Sequence, residues 1–392
     1  MKARSLVFRL VIALLAVAML AACAPAATPA PAAPPPAAPK ATDAPAPAAA
    51  KPTDAPKATA APQPTAAPQA AAAACATPDK VSFRLNWTYY GEHTGFIVAR
   101  DNGFYKDECL DVEVMEGNGS TTVLQLVANK TQPIAYVDSA TMMRGVANGM
   151  PVEAVAVLLQ QSPMAFIYRA DAAKPTKLDE IKGSKIAITA GDASLAIFTA
   201  FMGRSGMKVE DVQMITVANP AAKEQAVLNK QADALLGYFM DQGPRMQLQS
   251  GVKMGWTRLY DLNGTTTLSS AIIVNKDWLK DAKNQDILKR FLRASQRGWQ
   301  WTADNRDKAA DIFIKTATAF NKEIALLEIN GTMTIVRSEA AKGKPLGWSA
   351  EKDWQDSQDL LTKFAGMTNA PSDVKTYFTN DYLSAEPYLP KK

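Results

Sequence analysis

From Val81 onward, short apolar runs with the period of a strand alternate with stretches of helical period, and this alternation constrains the fold more than any other feature. Val81-Ser82-Phe83-Arg84-Leu85, Leu110-Asp111-Val112-Glu113-Val114 and Ile134-Ala135-Tyr136-Val137 read as strands. Residues 96–103, 122–128 and 142–148 read as the helices beside them, with Ser120 as an expected N-cap of the second. Residues 152–159 form a longer apolar strand, and 164–168 is expected to continue the same sheet. The pattern restarts after Lys182-Gly183, with strands at 185–189, 212–217 and 234–238 and helices at 192–203 and 221–229. Residues 269–274 then form a strand that can return to the first sheet, and the chain beyond Asp277 is mostly helical, at 286–304, 308–318, 321–330 and 351–366. Strand and helix alternating at this spacing build a parallel sheet covered by helices. The expected class is therefore α/β with two lobes, each a helix-covered sheet, joined by two crossing strands. The first lobe is expected at 77–169 and 267–392, the second at 170–266.

The N-terminal fifth cannot join that core. Residues 24–74 hold 14 of the chain's 25 prolines, no aromatic residue and no Val, Ile, Leu or Met. Such a segment buries too little apolar area to offset its chain entropy and is expected to act as an extended tether. Ahead of it, Lys2, Arg4 and Arg9 precede an apolar run from Leu6 to Leu20, which is short for a bilayer span and has the form of an export leader over residues 1–22. Leu20-Ala21-Ala22-Cys23 resembles the bacterial lipobox, which implies cleavage before Cys23 and lipidation of that cysteine; an ordinary secretion signal is the plainer alternative. The expected location is the outer, extracellular or periplasmic face of a cell membrane, held by a lipid. Cys75 and Cys109 remain as an even pair in an exported chain, each just ahead of an expected strand, and a disulfide between them is expected over two free buried thiols. A net charge of +5, spread along the chain without a basic run, gives no sign of nucleic-acid binding, and three cysteines and one histidine have no metal-ligand spacing.

Leu85-Asn86-Trp87, His93-Thr94-Gly95-Phe96, Gly103-Phe104-Tyr105-Lys106, Leu110-Asp111-Val112 and Gly119-Ser120 occur in this order and spacing in one superfamily. On these residues the chain resembles the thiamine-pyrimidine-synthase-like solute-binding proteins of ABC importers, including their riboflavin-binding members. The resemblance covers nearly the whole folded region. It implies a periplasmic-binding-protein fold of type II form, a small heteroaromatic ligand, an ABC permease as partner and a monomeric carrier without cofactor or metal. It also implies that a branch of the superfamily consumes its histidine in thiamine-pyrimidine synthesis beside a cysteine-rich iron site, a cluster this chain lacks.

In an open α/β sheet, ligands sit beyond the carboxyl ends of the strands. The loops expected there carry Trp87, Tyr89, Tyr90, Glu92 and His93, then Asp138 and Ser139, then Gln160 and Gln161. In the second lobe they carry Gly191 and Ser194 at a helix start, then Tyr238 and Asp241. Aromatic plates with amides and carboxyls suit a flat heterocycle with polar edges. Plainer roles compete: Trp87 as core, His93 as a structural histidine, Asp241 as a cap before Gly243-Pro244. Only one of the adjacent Tyr89 and Tyr90 is expected to face the cleft. Between Trp87 and His93 the chain reads Thr88-Tyr89-Tyr90-Gly91-Glu92, where pyrimidine-handling relatives carry a proline-containing stretch. Two added rings suit a larger stacking surface, so riboflavin is the expected ligand, with a thiamine pyrimidine precursor second. No Ser-His-Asp set, phosphate loop or HExxH argues for catalysis.

Overall fold

The computed structural model describes residues 75, 77–172, 177–190 and 192–385. The expectations placed on Cys23, the tether and Gly191 lie outside the described residues.

Two five-stranded sheets organise the chain. The first contains β1 (Asp79–Arg84), β2 (Leu110–Met115), β3 (Ile134–Asp138), β4 (Val152–Val157) and β10 (Ser270–Asn275), in the order β2-β1-β3-β10-β4. The second contains β5 (Met164–Arg169), β6 (Lys185–Thr189), β7 (Gln213–Val217), β8 (Ala234–Tyr238) and β9 (Met254–Arg258), in the order β7-β6-β8-β5-β9. Each sheet has a parallel half and one strand that runs against it: β10 pairs antiparallel with β3 and β4, and β5 with β8 and β9. This corrects the expectation for 164–168. The segment does not continue the first sheet; it sits inside the second, so the chain changes lobes over 158–163 and not after Arg169. A fully buried apolar run carries no local sign of which sheet it joins. Residues 254–258 were not expected as a strand at all.

The helices connect and cover the strands: α1 (Thr94–Asp101), α2 (Phe104–Asp107), α3 (Ser120–Ala128) and α4 (Ser139–Ala147) on the first sheet, and α5 (Ser194–Arg204), α6 (Pro220–Leu228), α7 (Gln242–Ser250) and α8 (Leu259–Asn263) on the second. The tail adds α9 (Ala282–Asp304), α10 (Arg306–Thr316), α11 (Lys322–Met333) and α12 (Glu351–Phe364). The tail is core rather than appendage. Trp299 on α9 is buried against Gly95 of α1, where an added Cβ would lie 2.3 Å from its ring. Trp354 on α12 stacks on Phe378 at 5.3 Å.

The two crossing segments run side by side. Leu158 N–H donates to the Ser270 carbonyl at 2.9 Å, and Ser269 N–H donates to Leu159 at 2.9 Å. At the other end of the first sheet, Cys75 and Cys109 form a disulfide with Cα atoms 5.6 Å apart. They meet because β1 and β2 are parallel neighbours whose starts are in register, Asp79 opposite Leu110.

Candidate functional site

The loop after β1 is held in place by its neighbour after β2. Gly117 N–H donates to the Trp87 carbonyl at 3.0 Å and Gly119 N–H to the Asn86 carbonyl at 2.8 Å. A Cβ at Gly117 would stand 1.9 Å from the Leu85 oxygen, so only glycine permits this approach. Thus fixed, the loop presents Asn86, Trp87, Tyr90 and Glu92 to a cleft between the lobes. Ser120 joins them from the start of α3, and the second lobe adds Asp192, Ala193, Lys223, Gly237, Tyr238, Asp241 and Gln242. The space between these residues is about 410 Å³, open solvent included.

Of the residues expected from sequence, Trp87, Tyr90, Glu92, Tyr238 and Asp241 converge here. Tyr89 turns away: its hydroxyl donates to the Val114 carbonyl at 2.9 Å. His93 is fully buried behind the wall. Tyr90 N–H donates to its Nδ1 at 3.1 Å, which leaves the proton on Nε2 to be donated to Asn86 Oδ1 at 2.8 Å. His93 therefore orients Asn86 and does not line the cleft. Gln160 is spent on structure, donating to the Val157 and Trp348 carbonyls and accepting from Ser338 N–H. Gln161 donates to the Arg337 carbonyl, and both glutamines face a groove by the crossing segments. Ser139 Oγ donates to the Ser269 carbonyl at 2.5 Å. Ser194 lies buried at the start of α5 next to the cleft residue Ala193. Ser120 is not the expected cap: Gly119 holds that position, and the Ser120 hydroxyl accepts from Asp138 N–H at 3.0 Å.

Asp138 caps α4, its Oδ1 accepting from Thr141 N–H at 3.1 Å. Burial pushes its carboxyl up to about 6 from an ordinary 3.8, against those hydrogen bonds. The folded protein thus holds this proton more tightly than the unfolded chain does. Its contribution is greatest at low pH and is lost as pH rises from about 4 to about 6, a loss of order 3 kcal/mol at most. Asp138→Asn retains the acceptor and cannot ionise. In urea unfolding, its stability relative to wild type should improve between pH 4 and pH 7, and an unchanged difference would remove this account.

The cleft floor is acidic. Asp241 is 0 % exposed, and neither carboxyl oxygen has a hydrogen-bond partner among the described residues. Burial, and then the charges of Glu328 and Glu92, push its carboxyl well above the usual range. Glu92 Oε2 is likewise unpartnered, while its Oε1 lies 3.4 Å from His93 Nε2. One guanidinium faces this group from the second lobe. Arg245 on α7 pairs with Glu224, donates to Tyr90 Oη at 2.7 Å, lies 3.9 Å from Glu328 Oε1 and sits over the Tyr90 ring at 4.7 Å. Glu328 in turn accepts from Gly91 N–H at 2.6 Å. Burial raises the carboxyls of both Glu224 and Glu328 in spite of Arg245.

Lys223, Glu224, Arg245 and Glu328 were not expected from sequence. The one available signal was Glu328, a lone charge in the apolar run Ile324-Ala325-Leu326-Leu327-Glu328-Ile329. A buried charge in such a run requires a partner.

The NMT1/THI5 like family model matches residues 91–309. The riboflavin-binding protein RibY of Chloroflexus aurantiacus is 25 % identical over 320 residues, covering 80 % of this chain and 88 % of that one. The 4-amino-5-hydroxymethyl-2-methylpyrimidine phosphate synthase THI11 of Saccharomyces cerevisiae is 22 % identical, covering 78 % and 88 %. Among solved structures, the periplasmic aliphatic sulphonate binding protein SsuA of Escherichia coli superposes with a TM-score of 0.57 at 14 % identity, covering 81 % of this chain and 96 % of that one. That likeness is one of fold.

Proposed function

This chain belongs to the NMT1/THI5-like family, and from that premise we propose that it captures riboflavin between its lobes and delivers it to an ABC permease. The observation that carries the reading is Asp241: a fully buried carboxyl with both oxygens unpartnered among the described residues, in a cleft that Trp87 and Tyr238 also line. A carboxyl kept neutral by burial offers one donor and one acceptor side by side. The imide edge of an isoalloxazine presents the complementary pair, and its tricyclic body suits aromatic walls. Asn86, Gln242 and Glu92 remain for ribityl hydroxyls. The name of the Chloroflexus relative supports the same ligand.

An aminopyrimidine is the second reading. Its ring nitrogen and amino group also pair with a neutral carboxyl, and the yeast relative is named for a pyrimidine of this kind. We read the chain as a carrier rather than a synthase because both ring nitrogens of His93 are engaged, by Tyr90 and Asn86, and the ring is buried. Lipidation at Cys23, with the outer membrane face as location, belongs to the same proposal. Cys23→Ser should then release the protein from the membrane fraction.

Riboflavin emission should be quenched on mixing with the purified protein. Trp87→Ala and Tyr238→Ala should each weaken binding about tenfold or more, since a stacked ring is worth roughly 1–3 kcal/mol. Tyr89→Ala, outside the cleft, should not. If riboflavin changes neither emission nor melting temperature while 4-amino-5-hydroxymethyl-2-methylpyrimidine raises the latter, the second reading replaces the first.

A further inference from the structure

The helix that the second lobe directs at the cleft carries its own counter-ion. The first backbone N–H groups of α5 have no intrahelical acceptor, and a helix end of this kind accommodates a phosphate, a sulfonate or a carboxylate. Here the acceptor comes from the chain. Asp192 Oδ1 accepts from Ser194 N–H at 2.9 Å, and Asp192 Oδ2 accepts from Lys223 Nζ at 2.8 Å. Lys223, 1 % exposed, also donates to the Leu236 carbonyl at 3.0 Å and lies 5.8 Å from the centroid of the Trp87 ring. The Ser194 hydroxyl, fully buried at the same helix end, has no partner among the described residues. Asp192, Ala193 and Lys223 all line the cleft. A helix end, a buried lysine and a buried hydroxyl make an anion cradle, and a carboxylate of the protein fills it.

We propose that Asp192 is a specificity-determining residue that restricts the cleft to ligands without an anionic group. This rests on the heterocycle reading above and sharpens it: the ligand is the free vitamin or free pyrimidine, and its phosphomonoester is rejected. The chemistry is direct. A phosphomonoester carries between one and two negative charges near neutral pH and needs cationic or N–H donors. The Ser194 N–H and Lys223 already serve the Asp192 carboxylate, whose charge offsets that of the ammonium, and the other carboxyl groups lining the cleft, Glu92 and Asp241, add no cation. An uncharged hydroxyl meets no such conflict; it can donate to Asp192 and accept from Lys223 or Ser194.

The test uses the whole protein and two pairs of probes. Titration calorimetry should give riboflavin an affinity at least about a hundredfold above riboflavin 5′-phosphate, a difference near 2.7 kcal/mol. In Asp192→Asn the ratio should fall below about tenfold, because Lys223 loses its counter-charge and its ammonium becomes available to the phosphate. Tyr89→Ala, outside the cleft, should leave the ratio wide. Wild-type protein that binds the two forms equally overturns the proposal, whether or not the variant folds. Inorganic phosphate is the second probe, and it needs no knowledge of the ligand. It should raise the melting temperature of Asp192→Asn but not of wild type, and adding Lys223→Met should abolish the rise. If neither riboflavin nor the free pyrimidine binds, the heterocycle reading fails, and the phosphate experiment still decides the role of Asp192. Failure of Asp192→Asn to gain phosphate binding, with riboflavin bound normally, sinks the Asp192 proposal alone.

Discussion

Replacing Arg245 with methionine should loosen the contact between the lobes and lower unfolding stability by about 3–5 kcal/mol. Arg245 is the cation that pairs with Glu224 and faces Glu328, both buried acids. It leaves the second lobe on α7 with Glu224 as its partner there, and it reaches Tyr90 and Glu328 on the first. Methionine fills much the same volume but cannot neutralise Glu224 or Glu328, which are then buried without compensation. The cost should shrink as pH falls. Burial raises both carboxyls above their ordinary range, so falling pH favours their neutral forms and removes the charges that the variant leaves unpaired. Arg245→Lys should recover part of the loss, since an ammonium keeps the charge but not the forked geometry that serves two partners. Urea midpoints at pH 5 and pH 8, with the radius of gyration from small-angle scattering, check this. A wild-type midpoint together with wild-type scattering would mean that the lobes are held by something else, such as the packing of Met240 on Gly331, where an added Cβ would lie 2.2 Å away. Ligand affinity should fall together with stability, because a ligand that needs both walls binds only the fraction of molecules in which they meet.

Loss of the Cys75–Cys109 disulfide should cost about 3–4 kcal/mol and leave ligand binding almost untouched. The two cysteines are 34 residues apart, and a closed loop of that length restricts the unfolded chain by roughly this amount. The bond sits at the starts of β1 and β2, whereas the cleft lies beyond their carboxyl ends. The strand start is also tied in other ways. Asp79 N–H donates to the Cys109 carbonyl at 3.0 Å, and Arg290 donates to Asp79 Oδ2 at 2.7 Å. Reduction should therefore lower the denaturant midpoint without unravelling β1. Cys75→Ser/Cys109→Ser should reproduce the effect, and added reductant should not change that variant further. An equal midpoint with and without reductant would refute the cross-link, and a large loss of riboflavin binding would refute its separation from the cleft.

Much of the architecture was legible in the residues. The strands at 185–189 and 234–238 were read at their observed bounds, and α3, α5 and α12 within two residues at either end. Alternation, helical period and turn chemistry act over a few residues, so a linear reading reaches them. The expectation for β5 failed for the opposite reason. Met164-Ala165-Phe166-Ile167-Tyr168 has the same apolar character in either sheet, and its partners, Ala234 to Tyr238 and Met254 to Arg258, are some 70 to 90 residues away. The loop after the first strand reaches the cleft with Trp87, Tyr90 and Glu92, yet Tyr89 and Tyr90, adjacent and chemically alike, point in different directions. His93 and Gln160 were assigned to the site by position and proved to be bonded into the wall.

The sequence by itself determined that the folded part of this chain is α/β, that an aromatic and acidic loop follows its first strand, and that two cysteines stand ahead of neighbouring strands. These follow from side-chain period and from the order of residues along the backbone. Only the tertiary structure decided what the cleft is made of. Arg245 reaches Tyr90 across 155 positions and Glu328 meets Gly91 across 237. No local pattern encodes such pairs; the first crosses between the lobes, the second forms where the helical tail packs on the loop after β1, and a buried charge in either place needs a partner from far along the chain.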